Sequence, residues 1–106
     1  MEARIEFAND QLHIEGDIGF ANVETCLSNI ESLLTTQKSG IVRINFAHVK
    51  HLDGSIIALM TSLLRHVKSL GIKVKYLNVP DHILRISELY GVRALLPIVT
   101  ASNNAD

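Results

Sequence analysis

Residues 41–77 read IVRINFAHVKHLDGSIIALMTSLLRHVKSLGIKVKYL and carry the clearest structural signals of the chain. The β-branched run at 41–46 favours a strand, and residues 47–52 are expected to be a connection. Residues 55–70 repeat apolar side chains at the helical period and end before a glycine, which is typical of a helix and its C-terminal cap. Residues 72–77 alternate apolar and charged side chains, as a half-buried strand does. This order predicts two parallel strands joined by a right-handed helical crossover.

The residues before this stretch predict a pair of strands and a first helix. Residues 3–14 alternate apolar and polar side chains on both sides of the turn pair Asn9-Asp10. The glycines at positions 16 and 19 indicate a loop. Residues 22–37 then follow the helical period, with Asn22 as the expected N-cap.

The last third of the chain predicts one more helix. Pro80 suits the first position of a helix, and Gly91 follows its last turn. Residues 94–99 are short and apolar, which indicates a final strand or a packed coil. The order β-β-α-β-α-β-α predicts a single α/β domain over residues 1–99, with helices packed against a central mixed sheet. Residues 100–106 are polar and are expected to form a flexible C-terminal tail.

Composition and charge argue against several classes of protein. Ten basic residues against eleven acidic ones give a net charge of −1, which provides no basic face for nucleic acid. The N-terminus lacks the build of a signal peptide. The longest apolar run, residues 56–60, is far shorter than a membrane span of about 20 residues. We therefore expect a cytoplasmic protein that does not insert into the membrane and reaches the inner membrane only through a partner.

The sequence gives no indication of catalysis, a metal or a cofactor. His48 and His51 lie close together, but surface imidazoles are a simpler interpretation than a weak metal site. Cys26 flanks the apolar stripe of the first helix, which indicates a small buried side chain rather than a reactive thiol. No nucleophile with a base and an orienting group can be assembled from the predicted elements. We predict that the protein is not an enzyme and needs no cofactor or metal.

Asp53-Gly54-Ser55 lies at the start of the long helix and is the candidate functional site. Asp53 or Ser55 can accept a hydrogen bond from a first-turn N–H group, as in any capped helix. The helix dipole also favours negative charge at this position, so a phosphoryl group on Ser55 or an acidic group of a partner is accommodated there. The residues alone leave both interpretations open.

The outer face of this helix carries small side chains near its N-terminus. At about 100° per residue, the apolar residues fall on one arc and the opposite arc is centred on Ala58, Ser62 and Arg65. Solvated helix faces usually carry long charged side chains, so a strip of small ones permits close approach by another protein. A solvated face with short side chains is the alternative. The predicted partner-binding residues are Asp53, Gly54, Ser55, Ala58, Ser62 and Arg65.

Residues 41–97 resemble the STAS domain family, named after sulphate transporters and anti-sigma-factor antagonists. The resemblance rests on the order of strand, Asp-led turn, helix, glycine, strand and helix, and on the run LDGSIIALM at residues 52–60. It implies a non-catalytic domain that binds partner proteins. In the family, the residue after the motif Asp is a Ser or Thr that is phosphorylated in anti-sigma-factor antagonists. Here that residue is Gly54, and the hydroxyl comes one residue later, at Ser55.

Within the family the chain is most similar to the MlaB group, the cytoplasmic STAS subunits of bacterial Mla phospholipid transporters. Residues 12–18 and 69–74 and the Leu89-Tyr90 pair carry this similarity. It implies a subunit that binds and supports the ATPase of an ABC-type phospholipid transporter, which acts in outer-membrane lipid asymmetry. The alternative is a free anti-sigma-factor antagonist that is controlled by phosphorylation of Ser55. Glycine at position 54 favours the docking role.

Overall fold

The structure is a computed structural model and describes residues 2–37 and 40–100. Within these residues the chain forms five strands, three α-helices and one short 3₁₀ helix. The strands are β1 Arg4–Ala8, β2 Gln11–Ile18, β3 Ile41–Leu52, β4 Lys73–Leu77 and β5 Ile98–Val99. The helices are α1 Val23–Leu34, α2 Ser55–Leu70 and α3 Asp81–Leu89, and the 3₁₀ helix is Arg93–Leu95. The predicted order of elements is confirmed, with β5 as a short final strand.

The strands lie side by side in one mixed sheet, in the order β1-β2-β3-β4-β5. β1 and β2 pair antiparallel across the turn at Asn9 and Asp10, whose φ angles are +54° and +63°. Asn and Asp adopt this left-handed conformation more readily than most residues. β2, β3, β4 and β5 are parallel to one another. Each parallel step is bridged by a helix, because parallel strands need a crossover connection.

The three helices of the described residues all cover the same face of the sheet. Right-handed crossovers that step in one direction along a sheet return on the same side, and the burial pattern agrees. In β2 every second residue from Leu12 to Ile18 is buried, whereas the polar residues between them are half-buried. β4 alternates in the same way around Val74 and Tyr76. The opposite face therefore carries polar side chains, and no helix of residues 2–37 and 40–100 packs on it.

The core lies between the covered face of the sheet and the helices, and α2 contributes most of its buried helical side chains. Ile44 and Phe46 of β3, Tyr76 of β4, and Met60 and Leu63 of α2 are all at most 2% exposed. The Tyr76 hydroxyl donates a hydrogen bond of 2.7 Å to the Met60 carbonyl oxygen, which satisfies its polar atom inside the core. Burial also raises the pKa of the Tyr76 phenol well above its ordinary value. These contacts fix α2 against the middle of the sheet.

β2 and β3 are longer than the sequence predicts. β2 continues through Gly16 to Ile18, where a loop is expected, and β3 continues through residues 47–52, which are expected to be a connection. The two extensions pair with one another as far as Ile18 and Leu52, across shifts of register. Gly16 has a φ of +97°, and a Cβ atom on it would lie 2.4 Å from the Glu2 carbonyl oxygen. The glycine that suggests a break instead allows a close backbone approach. The extra residues at the two register shifts lie on β3.

The helix boundaries match the prediction at α2 and differ in detail at α1 and α3. α2 spans the predicted residues, and Gly71 follows it with a φ of +73°. α1 is shorter than predicted, and the Asn22 side chain does not cap it. Instead, Asn22 Oδ1 accepts the Gly19 N–H at 2.9 Å and Asn22 Nδ2 donates to the Asp17 carbonyl at 2.8 Å. Pro80 lies just before α3 rather than at its first position.

Two predictions about single features can also be compared with the structure. Cys26 is 4% exposed, and burial raises the pKa of its thiol, which confirms a small buried side chain. In residues 2–37 and 40–100, no helix combines the length and the apolar character that crossing a membrane requires. The predicted C-terminal tail lies outside the described residues, apart from Thr100.

Candidate functional site

The turn that joins β3 to α2 places the Asp53 carboxylate at the helix N-terminus. Asp53 Oδ1 accepts the Ser55 N–H at 2.9 Å and the Ser55 hydroxyl at 2.5 Å. Asp53 Oδ2 accepts the Phe20 N–H, which belongs to the turn after β2, at 3.2 Å. One side chain therefore satisfies an N–H group at the start of α2 and ties this turn to the neighbouring one.

Hydrogen bonding keeps the Asp53 carboxylate ionised. The Ser55 hydroxyl, the Ser55 N–H and the Phe20 N–H together hold the pKa of this carboxyl below its ordinary value, against an opposing effect of burial. Of the two residues proposed as caps, Asp53 is thus the acceptor, and Ser55 is a donor. Asp53 is exposed, so it presents a negative charge in a fixed position at the surface.

Two glycines allow other parts of the chain to approach this turn closely. A Cβ atom on Gly19 would lie 2.9 Å from Asp53 Oδ2, so a larger residue there would disturb the hydrogen bonds of the carboxylate. A Cβ atom on Gly54 would lie 3.8 Å from two carbon atoms of Ile86 and 4.0 Å from the Tyr90 hydroxyl. These are ordinary contact distances. α3 therefore packs beside the start of α2, and Gly54 has room for a small side chain.

Exposed apolar side chains lie around this turn. Phe20 is 88% exposed, Tyr90 is 65% exposed and Leu89, beside Tyr90 in the chain, is 82% exposed. Ala58 is exposed and lies one helical turn after Gly54 on the same side of α2. Exposed apolar side chains that are grouped, rather than scattered, mark interaction sites. We call this group the α2 head surface, and it consists of Phe20, Asp53, Gly54, Ser55, Ala58, Leu89 and Tyr90.

A cleft of about 660 Å³ lies beside the α2 head surface, at the carboxyl ends of β2 and β3. In its lining, Asp17 Oδ1 and His51 Nδ1 are 2.9 Å apart across the two strands. The His48 ring lies elsewhere, with its centroid 6.4 Å from that of His13. The two histidines that the sequence places close together thus have different neighbours. Among the described residues, no group of three or more His, Cys, Asp or Glu side chains is arranged to hold a metal ion.

A sequence profile of the STAS domain matches residues 4–105. This chain belongs to the STAS domain family. The matched range includes every strand and helix of the described residues, so the assignment rests on the whole fold and not on the run at the start of α2 alone. The resemblance seen in residues 41–97 is confirmed at the level of the family. No curated protein sequence matches the chain significantly.

Solved structures with a similar fold include anti-sigma factor antagonists. The antagonist SpoIIAA in its unphosphorylated form is 15% identical, with a TM-score of 0.68 over 95% of this chain and 90% of that chain. An anti-sigma factor antagonist from Mycobacterium paratuberculosis is 13% identical, with a TM-score of 0.68 over 95% of this chain and 87% of that chain. The phosphorylated form of SpoIIAA from Bacillus is 17% identical, with a TM-score of 0.59 over 95% and 94% of the two chains. At these identities the likeness establishes the STAS fold.

The predicted site residues of this STAS domain fall into two groups. Asp53, Gly54 and Ser55 come together at the start of α2, where two hydrogen bonds join Ser55 to Asp53. The other three, Ala58, Ser62 and Arg65, follow along the outer side of the helix. Ala58 and Arg65 are exposed, which confirms their predicted outward position, whereas Ser62 is half-buried.

Sequence reasoning missed the apolar residues beside this STAS motif. Phe20 is 33 residues from Asp53 in the chain, and only the folded structure joins them through a hydrogen bond. Leu89 and Tyr90 entered the sequence argument as a mark of similarity and not as part of the site. The available signal was modest: Phe20 is a lone aromatic residue in a turn, between Gly19 and Ala21.

Proposed function

We propose that this STAS domain is a non-catalytic docking subunit whose α2 head surface binds the ATPase subunit of an ABC-type phospholipid transporter. The observation that carries the proposal is the exposure of Phe20, Leu89 and Tyr90 around a turn that the Asp53 carboxylate holds in place through three hydrogen bonds. Aromatic side chains on a rigid support are typical of the few residues that dominate the binding energy of protein interfaces.

The shape and charge of the α2 head surface suggest what the partner offers. A Cβ atom on Gly54 would face Ile86 and Tyr90 rather than a partner. Ala58 leaves a shallow strip on the exposed side of α2, so the backbone of a partner can approach the helix closely there. Asp53 adds an ionised carboxylate at the end of this strip. We expect the partner to provide apolar pockets for Phe20 and Tyr90 and a basic side chain near Asp53, because complementary charge steers association.

The class of partner is supported by the similarity to the MlaB group and by the residue at position 54. Gly54 has no hydroxyl, and the Ser55 hydroxyl is directed to the Asp53 carboxylate. A surface that lacks the usual phosphorylated residue is suited to a lasting contact. In this proposal the domain is cytoplasmic and is held at the inner membrane by its partner. It supports the ATPase by binding one of its conformations more tightly than the others.

Replacing Ala58 by glutamate tests the docking role. Ala58 is exposed, so Ala58→Glu should leave the free energy of unfolding unchanged to within about 0.5 kcal/mol. A charge in the middle of the interface should weaken binding by about tenfold or more. Co-purification and calorimetry with the purified ATPase subunit measure this. The matched control is Ala47→Glu, because Ala47 is also exposed but lies on β3. Unchanged binding by Ala58→Glu, or equal loss in both variants, would overturn the proposal.

A second candidate is an anti-sigma-factor antagonist that is regulated by phosphorylation of Ser55. The supporting observation is that the Ser55 hydroxyl lies at the N-terminus of α2, where the helix dipole favours a phosphoryl group. The adjacent Asp53 carboxylate opposes it by charge repulsion. Mass spectrometry after incubation with the cognate anti-sigma kinase tests this candidate. A mass increase at Ser55 and loss of kinase binding in Ser55→Asp are expected; an unmodified Ser55 rejects it.

A further inference from the structure

The outer edge of β1 has no partner strand. β1 is the first strand in the order of the sheet, and within residues 2–37 and 40–100 no strand pairs with it on the side away from β2. Four of its five residues are exposed and the fifth, Ile5, is half-buried, which agrees with an edge that is open to solvent. An open strand edge is a template for pairing with another chain.

The hairpin determines which backbone groups of β1 reach this edge. Ala8 and Gln11 lie opposite one another and flank a two-residue turn in which both φ angles are positive. Such angles are typical of a type I′ turn, whose flanking residues are hydrogen-bonded to one another. Because successive residues of a strand direct their backbone groups to alternate sides, the even-numbered residues of β1 bond to β2. Ile5 and Phe7 therefore direct their N–H and C=O groups outwards.

The side chains of β1 alternate between apolar and charged. Ile5 and Phe7 lie opposite buried residues of β2 and hence on the covered face of the sheet, and Phe7 is 37% exposed there. Arg4 and Glu6 lie on the other face and carry opposite charges. Arg4 Nε is 3.2 Å from Glu15 Oε1, and a guanidinium has further N–H groups that can bind a second carboxylate. The edge thus presents an apolar row and a row of alternating charge.

Antiparallel pairing of two copies of β1 has one register that matches both rows. When Ile5 lies opposite Ile5 of the second copy, Arg4 of each copy lies opposite Glu6 of the other. On the apolar side, Phe7 then lies opposite Ala3. Opposite charges that face one another across two strands stabilise a sheet, and like charges destabilise it. A shift by two residues sets Glu6 against Glu6 or Arg4 against Arg4, and a shift by one sets apolar side chains against charged ones.

We propose that two copies of this chain associate through the outer edges of β1 and form one continuous sheet with two-fold symmetry. The outward N–H and C=O groups of Ile5 and Phe7 form the hydrogen bonds between the copies, and an Arg4–Glu6 pair forms on each side of the symmetry axis. Self-complementary surfaces of this kind are the usual interfaces of homodimers. None of these residues belongs to the α2 head surface, so this inference does not depend on the proposed docking function.

Charge reversal in the full chain tests the proposal by sedimentation equilibrium over a wide range of protein concentration. Arg4→Glu and Glu6→Arg should each weaken the dimer by about tenfold or more, since each converts both Arg–Glu pairs into pairs of like charge. An equal mixture of the two single variants should restore association as a heterodimer, because each acidic pair then faces a basic pair. The double variant Arg4→Glu/Glu6→Arg should also dimerise. Arg85→Glu and Glu88→Arg are the matched controls, because both residues are exposed on α3.

Hydrogen exchange tests the backbone pairing without any substitution. The Ile5 N–H is directed outwards, so its exchange should slow as the protein concentration rises and the dimer forms. The Glu6 N–H bonds to β2 in the single chain, so its exchange should change little. This amide is the internal control for a general change in stability.

Three results would overturn the proposal. One is a monomer at every concentration. Another is a dimer that both single variants leave intact, which would assign the contact to a different surface of the chain. A third is loss of the dimer in the single variants with no association in their mixture, which would reject the register. Circular dichroism shows whether each variant is folded. If a single variant is unfolded, the double variant and the exchange of the Ile5 N–H still decide between these results.

Discussion

Leu63 and Ser62 are neighbours on α2 and have opposite surroundings. Leu63 is 0% exposed and belongs to the core with Met60, whereas Ser62 is half-buried on the outer side in line with Ala58. The inner side of α2 faces the sheet, and the outer side ends in the α2 head surface. The difference teaches that folding depends on one set of α2 residues and the proposed docking on another. Substitutions can therefore separate the two properties.

The largest effect on stability is expected on the inner side. Leu63→Ala removes a fully buried side chain and should lower the free energy of unfolding by about 2–5 kcal/mol, because apolar contacts are lost and a cavity remains. The control is Ser62→Ala, which should change it by less than about 0.5 kcal/mol. Urea denaturation measures both. Similar losses in the two variants would contradict the separation of the two sides.

Asp53 lies where the two sides meet, and its removal should affect both properties. Asp53→Ala loses the hydrogen bonds to Ser55 and Phe20 and should lower the free energy of unfolding by about 1 kcal/mol, as the loss of a helix cap does. Partner binding should weaken as well, because Phe20 is no longer held beside α2. Asp81→Ala is the control in the first turn of α3. An equal loss in both variants would show that Asp53 acts only through the helix dipole.

The same carboxylate predicts a dependence on pH. The pKa of Asp53 is lower in the folded protein than its ordinary value, so the stability it contributes is present above the unfolded pKa of about 3.9 and is lost as the pH falls through the folded pKa. Unfolding curves of the natural protein and of Asp53→Asn should therefore converge below about pH 4. Curves that stay parallel in acid would contradict this role.

An effect of similar size is expected where the sheet contacts the inner side of α2. Tyr76→Phe removes the hydrogen bond to the Met60 carbonyl and should cost about 1 kcal/mol. The pKa of Tyr76 is raised in the fold, so the unfolded chain ionises first and the natural protein should lose stability above about pH 10. Tyr90→Phe is the control on the exposed side. If Tyr90→Phe lowers the free energy of unfolding as much as Tyr76→Phe does, burial of the hydroxyl does not explain the loss.

The smallest effect is expected at Gly54, where the start of α2 lies beside α3. The Gly54 φ of −62° suits any residue, and a Cβ atom there makes only ordinary contacts. Gly54→Ser should therefore raise the free energy of unfolding by about 0.5 kcal/mol, since it restricts the unfolded chain. It also restores a hydroxyl at the position that is phosphorylated in anti-sigma-factor antagonists. A loss of more than about 1 kcal/mol would show that the head surface is packed more tightly than these distances indicate.

Several parts of the site follow from local sequence. The turn at Asp53, the extent of α2 and the outward position of Ala58 and Arg65 are all predicted correctly. Each depends on residues within a few positions of one another, and the helical period relates such residues directly. The choice between Asp53 and Ser55 as the cap could not be made in this way, because each side chain has an oxygen that can accept a hydrogen bond and only its orientation in the fold shows which one does.

Other parts of the site depend on residues that are distant in the chain. Phe20 joins the site through Asp53, 33 residues away, and Tyr90 joins it because α3 packs beside Gly54. The ends of β2 and β3 were mispredicted for the same reason. A glycine such as Gly16 normally interrupts a strand, but β3 continues beside β2 and carries the extra residues of the register shifts. The local propensity of a segment contains no information about its pairing with a strand that is distant in the chain.

The sequence by itself determined the order of strands and helices, the inner and outer sides of α2 and membership of the STAS family. These properties depend on spacings of two to four residues and on short motifs. Only the tertiary structure decided how far β2 and β3 extend and which apolar residues surround Asp53. The physical reason is that pairing, close approach and exposure are properties of surfaces brought together by folding, and no single segment carries them.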